Sequence, residues 1–152
     1  GNPCVLFIDA DAHTYASTWK FARNLGGAWT MSDIATSDHM YDGGALLLLA
    51  DDDFRMYGPT KAVQKGCDGG EIVEWRSSDR GHTWHAGTSL TTGSQYSHNH
   101  VKAARNQEQG DGRFRLFWSY GDGSAPPATK NVELFYWGEG MPNAQRISIS
   151  AR

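Results

Sequence analysis

Two cysteines in 152 residues, Cys4 and Cys67, are too few and too far apart in sequence to establish a disulfide framework or a redox compartment. Long apolar runs are missing too. The longest, Ala45 to Ala50, falls far short of the roughly 18 to 20 residues of a membrane helix. There is no basic excess: 14 Lys and Arg stand against 17 Asp and Glu, and the formal net charge of −3 offers no cationic field for nucleic acid. No stretch holds a 3.6-residue apolar period, so no helix is expected. The chain opens on Gly1 rather than Met, and nothing at its N-terminus resembles a signal peptide. A processed product, secreted or periplasmic, is therefore expected.

What is abundant is aromatic and turn-forming. Six Trp, six Tyr, six Phe and 18 Gly, in a chain that is 39% hydrophobic and 20% charged, describe an ordinary soluble domain with one core. Aromatics suit both strands and surfaces that stack on sugars. Short strands separated by Gly, Asp, Asn and Pro run through the whole length. Pro3–Asp9, Tyr15–Asn24 and Gly27–Asp33 form a first group, with Gly26-Gly27 as a tight hairpin turn. Gly44–Ala50, Phe54–Pro59, Glu71–Ser77 and Thr83–Ser89 form a second. The wholly apolar Gly44–Ala50 predicts a strand buried on both faces. Val101–Asn106, Arg113–Tyr120, Val132–Trp137 and Gln145–Ser150 form a third.

Between two of these strands lies Ser77-Ser78-Asp79-Arg80-Gly81-His82-Thr83-Trp84. Asp79 can accept bonds from neighbouring backbone N–H groups, Gly81 can take a positive φ, and Trp84 can fold back over the turn. The spacing Ser-x-Asp-x-Gly-x-Thr-Trp resembles the Asp-box, or bacterial neuraminidase repeat. Families that carry it are mostly β-propellers, in which it joins the third and fourth strands of a blade on the face away from the active site. Ser77, Asp79, Gly81, Thr83 and Trp84 are accordingly expected to be structural.

Side by side, the second and third groups form an internal repeat of about 45 to 55 residues, the range of a four-stranded blade. The predicted fold is all-β: blades of four antiparallel strands at about 1–37, 38–96 and 97–152 in a single domain, the first lacking its innermost strand. About three blades cannot close a ring, since propellers need roughly four to eight. The chain is thus expected to be part of a larger propeller whose remaining blades lie on another segment or chain. The simpler alternative is a small independent β-sandwich.

The propeller layout sorts the histidines. The connections opposite the Asp-box carry His13 and Tyr15, then His39, Tyr41 and Asp42, then Lys61, Gln64, Lys65 and Cys67, then Tyr96, His98, Asn99 and His100, with Asp122 and Lys130 last. His82 and His85 fall at the Asp-box end. Imidazoles, phenols and amides around a funnel suit an acidic polysaccharide or oligosaccharide. Such glycans can be cleaved by β-elimination: a cation neutralises the uronate carboxylate, a base removes the C5 proton, and an acid protonates the departing oxygen. His and Tyr suit base and acid, and Arg105 could clamp the carboxylate through both its donors. His98 and His100 are one residue apart, so in an extended segment they point the same way. They are candidates for a catalytic pair or for two ligands of a structural Zn or Ca ion, with His39 or Cys67 as a further ligand.

A wider resemblance rests on four stretches: Asp33 to Gly44; Gly69-Gly70-Glu71-Ile72-Val73-Glu74-Trp75 running into the Asp-box; Tyr96-Ser97-His98-Asn99-His100-Val101; and Phe117-Trp118-Ser119-Tyr120-Gly121-Asp122-Gly123. These are similar to the later blades of a family of seven-bladed Asp-box propellers. That family includes polysaccharide lyases of rhamnose and glucuronate containing glycans, such as ulvan lyases and rhamnosyl-glucuronate lyases, and related α-L-rhamnosidases. The resemblance implies an eliminating lyase with a catalytic set of His, Tyr and Arg. Carried onto this chain, it points to His39, Tyr96, His98 and His100 for catalysis and Arg105 for the substrate; Asn99, Tyr41 and His13 complete the candidate binding set.

Two rivals share parts of this pattern. A glycoside hydrolase of sialidase-like or rhamnosidase-like type is one; the sialidase would need an arginine cluster for the substrate carboxylate, a Tyr/Glu nucleophile pair and an acidic proton donor. Phe54-Arg55-Met56-Tyr57 faintly resembles the sialidase Phe-Arg-Ile-Pro signature, but Pro59 comes late, and Glu71 and Glu74 sit in a blade strand. A non-catalytic glycan-binding propeller would use the same aromatics only to stack on sugar faces.

Overall fold

The structure, a computed structural model, describes residues 2–14, 16–38, 43–64, 69–104, 114–126 and 131–148. They form eleven strands: β1 (Cys4–Ala10), β2 (Ser17–Leu25), β3 (Ala28–Ser37), β4 (Ala45–Leu48), β5 (Phe54–Pro59), β6 (Ile72–Ser77), β7 (His85–Ser89), β8 (Ser97–Ala103), β9 (Phe114–Gly121), β10 (Val132–Gly138) and β11 (Gln145–Ile147). Each sheet is a simple antiparallel meander. β1-β2-β3 make a three-stranded sheet, and β4 to β7 and β8 to β11 make two four-stranded sheets. The fold is all-β, with propeller-like blades, the first short by one strand. Among the described residues no helix is long and apolar enough to cross a membrane.

The turns follow from local chemistry. Leu25 pairs with Ala28 across a two-residue loop. Gly26 and Gly27 both take positive φ, at 61° and 92°, as the favoured hairpin turn requires. Asn24 Oδ1 accepts from the Gly27 amide at 3.0 Å and locks the turn.

Alternation along the strands stacks the sheets. In the middle sheet Met56 and Tyr57 point to opposite faces, and both are buried, at 0% and 1% exposure. Met56 joins Trp19, Phe21, Ile34 and Trp84 in a core between the first and second sheets. Tyr57 joins Ala45, Ile72, Val101, Leu116 and Trp118 in a core between the second and third. The Met, Phe, Ile, Val and Leu side chains among these each contribute about 1.5–3 kcal/mol on burial. A backbone bridge strengthens the second junction: Gly70 and His98 exchange N–H···O bonds of 3.1 and 3.0 Å.

Four expectations need correction. β8 begins at Ser97 rather than Val101, so the Ser97-His98-Asn99-His100 stretch is strand, not loop. Its polar side chains hide the strand from a hydrophobicity pattern, while ladder bonds to Gly121, Tyr120 and Ser119 hold it extended. β4 ends at Leu48, because Leu49 N–H turns to the Asp53 carbonyl at 2.9 Å. Nor is β4 buried on both faces: Leu48 is 48% exposed, because no fourth strand extends the first sheet over it among the described residues. β3 runs on to Ser37, past Asp33, with a bulge opposite Trp19 and Lys20.

Candidate functional site

The Asp-box turn joins β6 to β7, the third and fourth strands of the middle sheet, and is wired as its residue types demand. Asp79 Oδ1 accepts from the backbone of His82 (3.0 Å) and Thr83 (2.9 Å) and from the Ser77 hydroxyl (2.7 Å). Asp79 Oδ2 accepts from the Thr83 hydroxyl at 2.6 Å. The Thr83 hydroxyl and amide, then Ser77, then the His82 amide hold the Asp79 carboxyl far below the usual carboxylate range. Ser32 Oγ donates to the Gly81 carbonyl at 2.5 Å and accepts from Trp84 Nε1 at 3.2 Å, so the box clamps the first sheet. Arg23 Nη1 adds a 2.5 Å bond to the Arg80 carbonyl. Ser77, Asp79 and Thr83 thus wire the turn itself, while Gly81 and Trp84 join it to the first sheet. His82 and His85 are exposed at this end.

The opposite end gathers the other connections. Asp38, just past β3, accepts from the Ala62 amide at 2.9 Å. Gln64 Nε2 donates to Asp122 at 2.8 Å, and Gln64 Oε1 accepts from the Gly123 amide at 3.1 Å, tying the β5–β6 and β9–β10 connections together. The Ser124 hydroxyl, Gln64 and the Ser124 amide keep the Asp122 carboxyl below its ordinary value. His13 is exposed in the β1–β2 turn, where its amide donates to Asp11 at 2.8 Å. His39, Tyr41, Cys67 and Arg105 lie outside the described residues, as do Tyr15, Asp42, Lys65 and Lys130.

At the heart of this end is a chain of hydrogen bonds with one direction. Trp118 Nε1, a donor only, reaches His98 Nδ1 at 2.8 Å. Nδ1 must therefore accept, and the ring proton sits on Nε2. Nε2 contacts Ser94 Oγ at 2.9 Å and donates to it; that hydroxyl in turn donates to Glu71 Oε2 at 2.9 Å. Glu71 Oε1 takes the Ser94 amide at 2.7 Å. His98 is 3% exposed. Burial drives its pKa down to about 4, against an opposing pull from Glu71. Burial by itself raises Glu71, but bonds from Thr91 and from the Ser94 amide and hydroxyl outweigh it, leaving that carboxyl below normal.

Aromatic rings cover the chain. Tyr120 lies across His98 with centroids 4.6 Å apart, and Tyr96 lies 6.0 Å from Tyr120. The Tyr96 hydroxyl accepts from Gln95 at 3.1 Å, and its amide donates to the Tyr120 hydroxyl at 3.4 Å.

No family model, no curated protein and no solved structure matches the chain. What the site does must be argued from its own geometry.

His98 and His100 do not point the same way. The β8–β9 register shifts between Asn99 and Lys102, and His100 takes φ 60°, unusual for a residue with a Cβ. The bulge sinks His98 and leaves His100 exposed. The two rings therefore sit in different surroundings, His98 under aromatic rings and His100 at the surface. Among the described residues no group of three His, Cys, Asp or Glu is arranged to hold a metal ion. Asn99 is half-buried, with no hydrogen-bond partner for its Oδ1 among the described residues. The sialidase-type pairing of Tyr and Glu does occur: the Tyr57 hydroxyl donates to Glu74 Oε1 at 2.6 Å. It is sealed in the core, with Tyr57 1% and Glu74 2% exposed, and Arg76 holds the other carboxylate oxygen at 2.5 Å. No sugar reaches it. Glu71, Ser94, Trp118 and Tyr120 were missed as site residues. Only the period-two spacing of Trp118 and Tyr120 on β9 signals that both face His98.

Proposed function

We propose that the chain is a run of propeller blades whose loop end binds a uronate-containing glycan, and that the completed ring cleaves this glycan by β-elimination. The contrast between His98 and His100 supports the assignment of roles. A general base needs a nitrogen lone pair within reach of substrate. The lone pair of His98 is spent on Trp118, so His98 is a positioning residue that fixes β8 and the tyrosines above it. His100 is exposed on the first strand of its sheet, and its left-handed backbone at a bulge is the kind of distortion that re-aims a side chain at functional sites.

In this scheme His100 takes the proton from C5 beside the carboxylate, and the C–H electrons form the C4–C5 double bond. The C4–O bond breaks, and the Tyr96 phenol gives its proton to the departing oxygen. Arg105 neutralises the carboxylate. A non-catalytic glycan-binding propeller is the second candidate, favoured by the Tyr96–Tyr120 pair, whose rings suit stacking on sugar faces. The buried Tyr57–Glu74 pair speaks against a sialidase.

Incubating the complete protein with ulvan or gum arabic tests the scheme through the ultraviolet absorbance of an unsaturated uronate. His100→Ala abolishes turnover and keeps glycan binding if His100 is the base. Glycan binding with no absorbance in the unsubstituted protein rejects the lyase in favour of the lectin.

A further inference from the structure

We propose a second ligand site at the Asp-box end, remote from the tyrosines, that takes a small organic acid with an apolar body. The site is a cavity of about 460 Å³ between the first and second sheets, within the range of small-molecule pockets. Its charged lining consists of Arg23 and Arg80, two guanidiniums, against the single carboxylate of Asp51. Apolar walls come from Phe21 and Leu25 on one sheet and Leu48 and Phe54 on the other.

Arg23 is the reason to expect an anion. It is 5% exposed, yet no ion pair joins it to a carboxylate among the described residues. None of its partners is an anion: the Arg80 carbonyl on Nη1, Thr30 Oγ1 on Nε at 3.4 Å, and His82 Nε2 on Nη2. Each nitrogen spends one bond, so of the five N–H groups of a guanidinium two remain, one on each Nη. A carboxylate is the acceptor that can take charge-assisted bonds from both Nη groups at once. A buried cation with no anion among its partners is a standing electrostatic demand. The Asp-box holds the guanidinium in place, because Arg80 and His82, both inside the box, supply two of the three acceptors. Phe21, Leu25, Leu48 and Phe54 then select an acid with a hydrocarbon or aromatic body over a bare inorganic anion.

Benzoate is the probe, with benzamide as its neutral counterpart at matched ionic strength, followed by thermal melts and amide chemical shifts on the chain of residues 1–152. Benzoate is expected to raise Tm saturably and to shift the amides around Arg23 and Leu48, while benzamide does neither. Arg23→Lys, which loses the guanidinium, should weaken binding about tenfold or more. Leu48→Glu sets a carboxylate in the cavity at a side chain that is already 48% exposed, so folding survives, and it should abolish binding. Equal effects of benzoate and benzamide, no saturable shift, or full binding in Leu48→Glu would each overturn the proposal.

Discussion

The indole N–H of Trp118 donates to Nδ1 of His98 at 2.8 Å, and this one bond decides the protonation state of the histidine. With Nδ1 occupied by a donor, the ring has no room for a second proton. Burial does the rest, lowering the pKa to about 4. An unfolded histidine takes its proton near 6.5. Between these values the unfolded chain binds a proton that the folded chain refuses, so acid favours unfolding. The stability tied to neutral His98 is complete above about pH 6.5 and is lost as pH falls toward about 4; at 1.36 kcal/mol per unit it amounts to something on the order of 3 kcal/mol. The depressed Glu71 carboxyl acts in the same direction at still lower pH. Denaturant melts across this window should show a steep slope, and His98→Gln should flatten it while lowering stability at neutral pH.

Gly81 is the point at which the Asp-box touches the first sheet. Its φ is 81°, and a Cβ built on it would lie 2.3 Å from Phe21 Cε1. Phe21 is 1% exposed, and the rings of Trp84 and Phe54 pack against it at centroid distances of 5.5 and 5.7 Å. Gly81→Ala therefore combines a left-handed backbone penalty with overpacking, and should cost about 2 kcal/mol or more. Gly26→Ala is the control. It keeps a comparable φ of 61°, but nothing lies within 4 Å of its Cβ, so only the backbone part of the penalty remains. Equal losses in the two variants would show that the contact with Phe21 is unimportant.

The sheet plan was legible because its punctuation is local. Gly26-Gly27 and the Ser77–Trp84 turn carry their own hydrogen-bond chemistry, and strands of alternating residues fill the space between. The site was less legible because its logic is long-range. Ser97-His98-Asn99-His100 reads as a polar connection, and nothing nearby reveals that His98 is satisfied by Trp118, twenty residues on, and by a serine that itself leans on Glu71. The one-residue spacing of His98 and His100 implied a shared face. A bulge with positive φ on a histidine, where glycine would be the usual sign, reversed that.

Tyr57 ties the core between the second and third sheets to a polar network around Glu74. Its hydroxyl donates to Glu74, which also faces Arg76 at 2.5 Å and Arg55 at 3.6 Å. Burial first, and then the bond to Glu74, push the phenol well above its usual value, so it remains a donor throughout the working pH range. Tyr57→Phe deletes a bond to a charged acceptor that is only 2% exposed and should cost about 1.5–3 kcal/mol. The loss should persist unchanged from neutral pH to pH 9, because the phenol does not ionise there. A variant as stable as the parent would mean that Arg55 and Arg76 satisfy Glu74 by themselves.

The outer face of the third sheet is dressed for a neighbour. Phe117, Leu134 and Ile147 are 40%, 41% and 39% exposed and, with Tyr136, line an apolar groove of about 480 Å³; Val132 beside them is 53% exposed. The corresponding face of the second sheet carries Tyr57 and Ile72, and there the third sheet covers it. Contiguous apolar surface of this kind is uncommon on monomers and marks contact sites. If the chain is the run of blades proposed above, the repeat predicts another four-stranded sheet on this face, from a further segment or chain. The residues 1–152 alone should then self-associate, eluting well above 16.7 kDa in size-exclusion chromatography. Phe117→Thr with Leu134→Lys should restore a monomer without lowering Tm, since neither side chain belongs to the cores on either side of the middle sheet. A sharp, concentration-independent 16.7 kDa peak from the unsubstituted chain would instead identify a self-sufficient stack of three sheets and remove the need for further blades.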